Sequence, residues 1–583
     1  MKRIKNIFVG FSAALLLGGC NLLDVKPNII TEETFYTSSS QAQLALNGVY
    51  GVLNSWQLYG CNLILDLNYN SDIVQYMSTT NSTMKGACFE IDANSDDVYQ
   101  TWTWLYKGVR NANAFLENIE GTDFDPEGKM EAQARFLRAY YYFILAQNYI
   151  NVPLRLKAID SYSDVKCPAT PQLEVMQFAA SEMEKCLETI TDDLTYAPSD
   201  VTKTTVEGIL ARVYLYMAGE AVSGTTEAQK HEYFGKAADY AKMVIESGKH
   251  RLNPDYSQVF INMIGDKYDK EYYESMWEAD FLGDRSSPDY YGNSRWGELN
   301  GLRSSNSGTN YSDMNANFAY GLFCNTIKLW DIYMKEDRVR LEKNLSYVTD
   351  KRQEWTLPPY HYNGTGEEGW LYPYGGDPND TRKLVAGIDK TPYYTSGAQI
   401  ANRNSTNEDP TYNPGSRYCG KFRREVQYEG RKNFKCIWCG INVPLLRYSD
   451  VLLMYAEAMC EYNGAPSEDL YNVILPIRDR AGVSTEPFAK YSTLEKFRQF
   501  IRNERARELC FEGLRKFDLL RWGIYLDSMN EVATLAVTDT KWGTSTAKNY
   551  VTLVDRLGEK NNCLPIPSLE LAVNTELKQN PLW

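Results

Sequence analysis

The stretch Asp289-Tyr-Tyr-Gly-Asn-Ser-Arg-Trp296-Gly-Glu298 gathers two tyrosines, an asparagine, an arginine and two acids around one indole. That mixture supplies a flat apolar plane together with hydrogen-bond donors and acceptors, which is what a sugar ring requires of its binding site. A core indole more often has apolar neighbours in sequence, and Gly292 and Gly297 leave the backbone free to turn the ring outward. The sequence therefore predicts Trp296 as an exposed stacking platform. Composition points the same way. Aromatics make up 13% of the chain and include 43 tyrosines, a residue that suits polar, ring-shaped ligands or wet interfaces.

Other chemistries find less support. His231, His250 and His361 stand far apart, so a zinc site or a Ser-His-Asp triad would need long-range convergence. Gly364-Thr-Gly366-Glu-Glu-Gly369 has dinucleotide-loop spacing, but no predicted strand precedes it, no helix follows, and Glu367 and Glu368 would repel a pyrophosphate. Asp123-Phe-Asp125-Pro-Glu127-Gly128 begins like a calcium loop, yet Ala134 occupies the position where a glutamate is needed. It reads as the turn before a helix. Asp377-Pro-Asn379-Asp380 offers oxygens of the kind calcium takes, but so short a run makes no site; no cofactor is expected, with a structural calcium left open. G-x-S-x-G, P-loop and H-E-x-x-H motifs are absent. Cys436 and Cys439 form the one close cysteine pair, read as a local disulfide or plain packing. The net charge of −14 argues against nucleic acid as a partner.

Helices must position whatever site exists. Arg498–Gly523, RQFIRNERARELCFEGLRKFDLLRWG, is predicted as a helix, a joint at Gly513 and a second helical stretch. Glu504, Glu508 and Glu512 share a face at i, i+4, an arrangement unfavourable by roughly a few tenths of a kcal/mol per pair. Arg505, Arg507 and Arg515 relieve part of this at i, i+3. The remainder needs cations from other helices, with Arg135, Arg138, Arg212, Arg447, Arg478 and Arg480 available. Phe500, Leu509, Phe511, Leu514, Phe517 and Leu520 interleave with the charges, so this segment is expected to be buried and held by ion pairs.

Further helices are predicted over Gln41–Leu53, Val98–Ile119, Lys129–Tyr149 with Gln172–Ile190, Thr205–Gly219 with Ala237–Gly248, and Leu445–Asn463 with Leu470–Gly482. Arg138, Arg212 and Arg447 recur in the first helix of each pair, and Ala211, Ala218 and Ala456 allow close approach. Such pairs resemble tetratricopeptide repeats pushed apart by insertions. Asn54–Asn94 reads as a polar loop. Asn253–Asn442 is the largest interruption and holds Trp277, Trp296, Trp330, Trp355 and Trp370. It is too aromatic for disorder, and ligand contacts are expected there.

At the N-terminus, Lys2, Arg3 and Lys5 precede the apolar stretch Ile7–Leu17, and Leu17-Gly18-Gly19-Cys20 resembles a lipobox. Cys20 is the expected lipidation site, with several acyl chains giving a stable membrane anchor. No later apolar run is long enough to span a bilayer.

Taken together, the lipobox, WTWLYKGVRNANAFLENI (102–119), EAQARFLRAYYYFILAQNY (131–149), ILARVYLYMAG (209–219), VPLLRYSDVLLMYAEA (443–458), IRDRAG (477–482), the 498–523 stretch and the closing Leu564-Pro-Ile-Pro567 with Gln579-Asn580-Pro581 resemble the SusD/RagB family of outer-membrane nutrient-binding lipoproteins. Thr575 and Leu582-Trp583 depart from the family pattern in the tail. The resemblance implies a mainly α, SusD-like fold of tetratricopeptide-like helix pairs with a large irregular ligand-binding insertion. The expected organisation is a lipoprotein signal peptide over 1–19, a lipidated tether over 20–34, an N-terminal helical region over 35–252, the insertion over 253–442 and a C-terminal helical region over 443–583. It further implies non-catalytic oligosaccharide capture at the outer membrane and delivery to a SusC-like TonB-dependent barrel, with peptides as ligands in some members. A surface glycoside hydrolase or a protein-binding helical scaffold are the rival classes. The matching motifs lie on helices, so Trp102 and Trp104 are expected to pack rather than bind. On the glycan reading the candidate ligand contacts are Asn68, Tyr69, Asp72 and Tyr76 from the first loop and Tyr290, Tyr291, Trp296, Trp330 and Trp370 from the insertion.

Overall fold

In the computed structural model, the described residues (36–158, 165–191, 194, 197–283, 292–305, 319–335, 350–358, 360–363, 371–373, 414–424, 438–483, 485–539, 542 and 544–583) are predominantly helical. Cys20, Tyr290, Tyr291, Trp370, Cys436 and the segments 364–369 and 377–380 lie outside them. The N-terminal half runs through α1 (Ser39–Tyr50), β1 (Val74–Tyr76), α2 (Asp96–Ile119), α3 (Lys129–Tyr149), α4 (Gln172–Cys186), α5 (Lys203–Met217) and α6 (Glu227–Glu246). Local chemistry sets these boundaries. The Ser38 and Thr202 hydroxyls cap α1 and α5. A Thr226/Gln229 capping box starts α6 well upstream of the predicted Ala237. The Asp125 carboxylate accepts the Glu131 N–H at 2.8 Å, so the calcium-like run is the turn that opens α3.

Close packing joins the helices into pairs. Gly108 of α2 lies against the Tyr141 ring of α3, where an added Cβ would come within 2.5 Å of the ring. α3 is buried on all sides from Phe136 to Tyr149 and contacts both α2 and α4, while α5 packs on α6. This is the tetratricopeptide-like arrangement expected from the sequence. Trp102 is buried against Tyr149 in an edge contact, as predicted for a packing residue.

The described part of the insertion carries short regular elements. It contributes α7 (Tyr256–Gly265), β2 (Ser275–Ala279), α8 (Trp296–Leu299), β3 (Ser304–Ser305), β4 (Phe323–Asn325), α9 (Ile327–Lys335), α10 (Lys351–Thr356), β5 (Tyr360–Asn363) and β6 (Leu371–Pro373). β4 pairs antiparallel with β1, and β5 lies between β3 and β6. β2 pairs antiparallel with β7 (Val443–Arg447), which corrects the helix predicted from Leu445. Pro444 and a run buried at every position suit a covered strand, so the helix begins at Tyr448. Trp277, Trp296, Trp330 and Trp355 of the insertion are all buried.

The chain then continues through α11 (Tyr448–Asn463), α12 (Glu468–Ala481), α13 (Leu494–Leu509), α14 (Arg515–Arg521), α15 (Tyr525–Thr538), α16 (Thr544–Val554) and α17 (Ser568–Val573). The predicted joint is real but opens earlier. α13 stops at Leu509, and Phe511 and Gly513 take left-handed φ values of 63° and 78°. Glu512 therefore sits in the joint, not on the helix face.

Burial by ion pairing holds for all three glutamates. Glu504 meets Arg352 at 2.6 Å, Arg507 at 2.8 Å and Arg478 at 2.9 Å. Glu508 meets Arg480 at 2.6 Å and Arg447 at 3.1 Å. Glu512 meets Lys421 at 2.7 Å and Arg447 at 2.8 Å. Glu274 of the insertion joins by bonding Arg480 at 2.6 Å and Arg447 at 3.0 Å. Burial pushes the Glu504 and Glu508 carboxyls up, but the surrounding cations outweigh it and hold both well below the usual range. Of the expected partners, Arg447, Arg478, Arg480 and Arg507 serve. Arg135 and Arg138 pair instead with Glu182, Arg212 and Arg505 with Asp450, and Arg515 with Asp72. Arg352 and Lys421, both from the insertion, are the partners the sequence did not reveal.

Glu508→Ala is expected to leave the buried guanidiniums of Arg352, Arg447 and Arg480 one carboxylate short and to cost about 3–5 kcal/mol. Glu246→Ala, which removes an exposed i, i+4 partner of Lys242, should stay within about 0.5 kcal/mol. Thermal melts of both variants check this, and equal melting temperatures would contradict the network's role. Burial pushes the Asp450 carboxyl up, but Arg505 and Arg212 overcome it and hold it at about 2. Its stabilisation is complete above the unfolded aspartate value of about 3.9 and is lost as pH falls from there toward 2. In melts recorded across that window, Asp450→Asn should start less stable and show a shallower acid decline than the parent protein.

Candidate functional site

The predicted platform is a core residue. Trp296 opens α8 with 0% exposure, its ring in edge contact with Tyr69 at 5.6 Å and Phe422 at 5.1 Å. Among its described polar neighbours, Asn293, Ser294 and Glu298 are buried rather than solvated. The Trp296 N–H donates to Ser294 Oγ at 2.8 Å, and Arg295 pairs with Glu298. Gly297 does not swing the ring outward; it makes room for Ile441, which a Cβ there would strike. Trp330 of α9 is likewise buried, with the Arg417 guanidinium 4.3 Å over its ring.

The first-loop candidates are also interior. Asn68 donates to the Leu63 carbonyl and to Asn148 Oδ1, both at 2.8 Å, and accepts from Lys516 Nζ at 3.0 Å. The Tyr69 hydroxyl donates at 2.6 Å to the carbonyl of Phe511, the left-handed residue of the joint. Asp72 pairs with Arg515 at 2.8 Å and Lys328 at 3.2 Å; burial pushes its carboxyl up, but these cations prevail and lower it. Tyr76 is buried against Phe323 and accepts from Asn81 Nδ2 at 2.6 Å. Asn68, Tyr69, Asp72, Tyr76, Trp296 and Trp330 are thus corrected from ligand contacts to packing and pairing residues. Tyr290, Tyr291 and Trp370 lie outside the described residues.

A different aromatic group lies at the surface. Half-buried Trp56 meets the buried Trp438 edge to face, with ring centroids 4.8 Å apart. The Arg295 guanidinium lies 5.6 Å from the Trp56 ring and 5.9 Å from the ring of Tyr320, which is 38% exposed. Burial alone would lower the pKa of Arg295; Glu298 beside it outweighs burial and raises it, so the arginine stays charged. Four segments distant in sequence are locked together to make this cluster. The Arg295 N–H donates to the Gly60 carbonyl at 2.9 Å, and Gly292 N–H to the Asn54 carbonyl at 3.0 Å. Ser294 and Cys439 form an isolated antiparallel bridge, and Gly297 N–H donates to the buried free thiol of Cys439 at 3.3 Å. Gly321 N–H donates to the Glu298 carbonyl at 3.1 Å. Gly283 and Gly292, at φ values of 70° and 68°, allow the crossing, since a Cβ on Gly283 would strike the Gly440 backbone.

One partly exposed indole backed by a buried one, an exposed phenol and a fixed guanidinium make a surface that can stack a polar ring and hydrogen-bond its substituents. Sequence reading missed Trp56 and Trp438. For Trp56 the available signal was an indole in a non-periodic stretch next to small polar residues, the same signal that misplaced Trp296; Trp438, between Ile437 and Cys439, offered none.

Comparison with known proteins agrees with this architecture. Residues 274–583 match the family model described as the SusD family, and residues 21–215 match one described as starch-binding, associating with the outer membrane. A SusD-like protein of Formosa agariphila is 25% identical over 99% of this chain and 98% of its own length. The crystal structure of a SusD homolog from Bacteroides thetaiotaomicron superposes with a TM-score of 0.76 at 24% identity, covering 95% of this chain and 98% of that one. A laminarin-binding SusD-like protein superposes with a TM-score of 0.61 at 18% identity, covering 94% of this chain and all of its own. A surface glycan-binding protein from Bacteroides fluxus gives 0.63 at 18%, covering 93% and 99%. With more than half of its residues inside one family model and the fold shared nearly end to end, the chain belongs to the SusD family.

Proposed function

We propose that this protein is a non-catalytic lipoprotein of the outer membrane that captures oligosaccharide at the cell surface and delivers it to a SusC-like TonB-dependent barrel. The observation that carries the reading is the cluster of Trp56, Tyr320 and Arg295 at the surface, supported from beneath by Trp438. Rings of this kind stack on the C–H faces of a sugar, while the arginine hydrogen-bonds hydroxyls beside them. Membership of the SusD family supports it, as do the laminarin and surface-glycan binding named for structural relatives. Anchoring would fall to Cys20, because no helix among the described residues is long and apolar enough to cross a membrane.

Trp56→Ala is expected to weaken oligosaccharide binding by about 1–3 kcal/mol while leaving the melting temperature nearly unchanged. Trp296→Ala should do the reverse, losing about 3–5 kcal/mol of stability because it empties a core site. Calorimetric titration against a panel of neutral glycans, paired with melts, separates the two; full affinity in Trp56→Ala would move the site elsewhere. Cys20→Ser should release the isolated protein from the membrane fraction. Unchanged detergent-dependent association of that variant, with no barrel co-expressed, would count against the anchor.

A further inference from the structure

A second groove, of about 540 Å3, opens between α2, the extended stretch 153–157 and α17. Its volume falls in the range of small-ligand sites, and none of the residues of the Trp56 cluster lines it. Along α2, Tyr99, Trp102 and Tyr106 follow at i, i+3 and i+7, so their rings form one stripe on the groove side. Trp102 is nearly covered and sits 4.9 Å from the Tyr106 ring, whereas Tyr99 and Tyr106 are only half-buried. The Tyr106 hydroxyl donates to the Pro153 carbonyl at 2.8 Å, which fixes that ring against the opposite wall. The floor is therefore aromatic and preorganised.

The rim is cationic. Lys107, Arg110, Arg155 and Lys157 line the opening, against Glu570 as the one described carboxylate. In a chain with a net charge of −14 this is a local reversal of sign. Lys107 lies 3.9 Å over the Trp104 ring, and Arg155 donates to the Val165 carbonyl, so both are held in place. Arg110 and Lys157 are exposed. Asp160 and Asp164 of the adjoining stretch lie outside the described residues.

An aromatic floor selects a ring, and a basic rim selects a negative substituent on it, because charge-assisted hydrogen bonds are the strong ones. We propose that this groove is a second saccharide site that takes sugars bearing an anionic group, carboxylate or sulfate. The proposal rests on the reading of the protein as a saccharide binder.

The test is titration of the full chain with an oligogalacturonate, a sulfated galactan oligomer, a neutral laminari-oligosaccharide and inorganic sulfate. Each is run on the parent, on the double variant Arg110→Glu with Lys157→Glu, and on Trp56→Ala. Both substitutions in the double variant are exposed, and its melt checks the fold. The anionic oligomers should bind the parent, weaken with added salt, and lose about tenfold or more in affinity in the double variant. Neutral-glycan affinity should be unchanged there and reduced in Trp56→Ala. Whether the uronate, the sulfated oligomer or both respond identifies the anionic group. Anionic oligomers that do not bind, or that bind the double variant as tightly as the parent, would overturn this proposal while a bound neutral glycan leaves the parent reading intact. Inorganic sulfate binding as tightly as the oligomers would also overturn it, by making the groove an ion site. Failure of every saccharide on every protein would overturn both.

Discussion

The structure depends on neutralising three buried glutamates. Glu504, Glu508 and Glu512 project from one helix end and its joint into a site where each is essentially without solvent. Charges in such a place are tolerable only when the opposing charges arrive with good geometry and the remaining lone pairs are bonded. Here Arg447 alone bridges Glu274, Glu508 and Glu512. Lys421 adds a bond to the Glu508 carbonyl at 2.8 Å, satisfying the backbone where α13 ends. The network is thus also the termination device of the helix, and the left-handed Phe511 that follows is tied by Tyr69 and Asn300 to the loops around it.

That arrangement explains why the aromatic cluster at the surface can be rigid. Trp296 is packed by Tyr69 and Phe422, and Tyr69 is in turn fixed on the joint carbonyl. Arg295, the residue before Trp296, is the side chain that reaches Trp56 and Tyr320. The core indole and the surface guanidinium are neighbours on one turn, so the packing of the first sets the position of the second.

Much of the scaffold was legible because periodicity is local. The interleaving of phenylalanines with like charges required a buried, paired helix, and Gly513 marked its joint. Which cations would answer was not legible, since partner choice depends on how separate segments meet in space. Arg352 and Lys421 stand in a stretch with no period, and nothing in their immediate sequence distinguishes them. The binding face was misread for a related reason. Polar neighbours around Trp296 suggest solvent, yet Asn293, Ser294 and Glu298 are themselves buried. Asn68, Tyr69 and Asp72 do lie in a loop, but a buried one, where they are the donors and acceptors that join the N-terminal region to the segment after α13. A sequence shows that a side chain is polar; only the fold shows whether water or protein satisfies it.

The span of the network has a kinetic consequence. Arg352 and Glu504 are 152 residues apart in the chain, Lys421 and Glu512 are 91 apart, and Glu274 and Arg447 are 173 apart. Local helix pairs such as α3 with α4 can form as soon as they emerge, but α13 cannot shed its water until the insertion has closed three long loops around it. Early species would therefore carry a hydrated, exposed α13 beside finished helical hairpins, and the last step would be the joint expulsion of water from all the charges together.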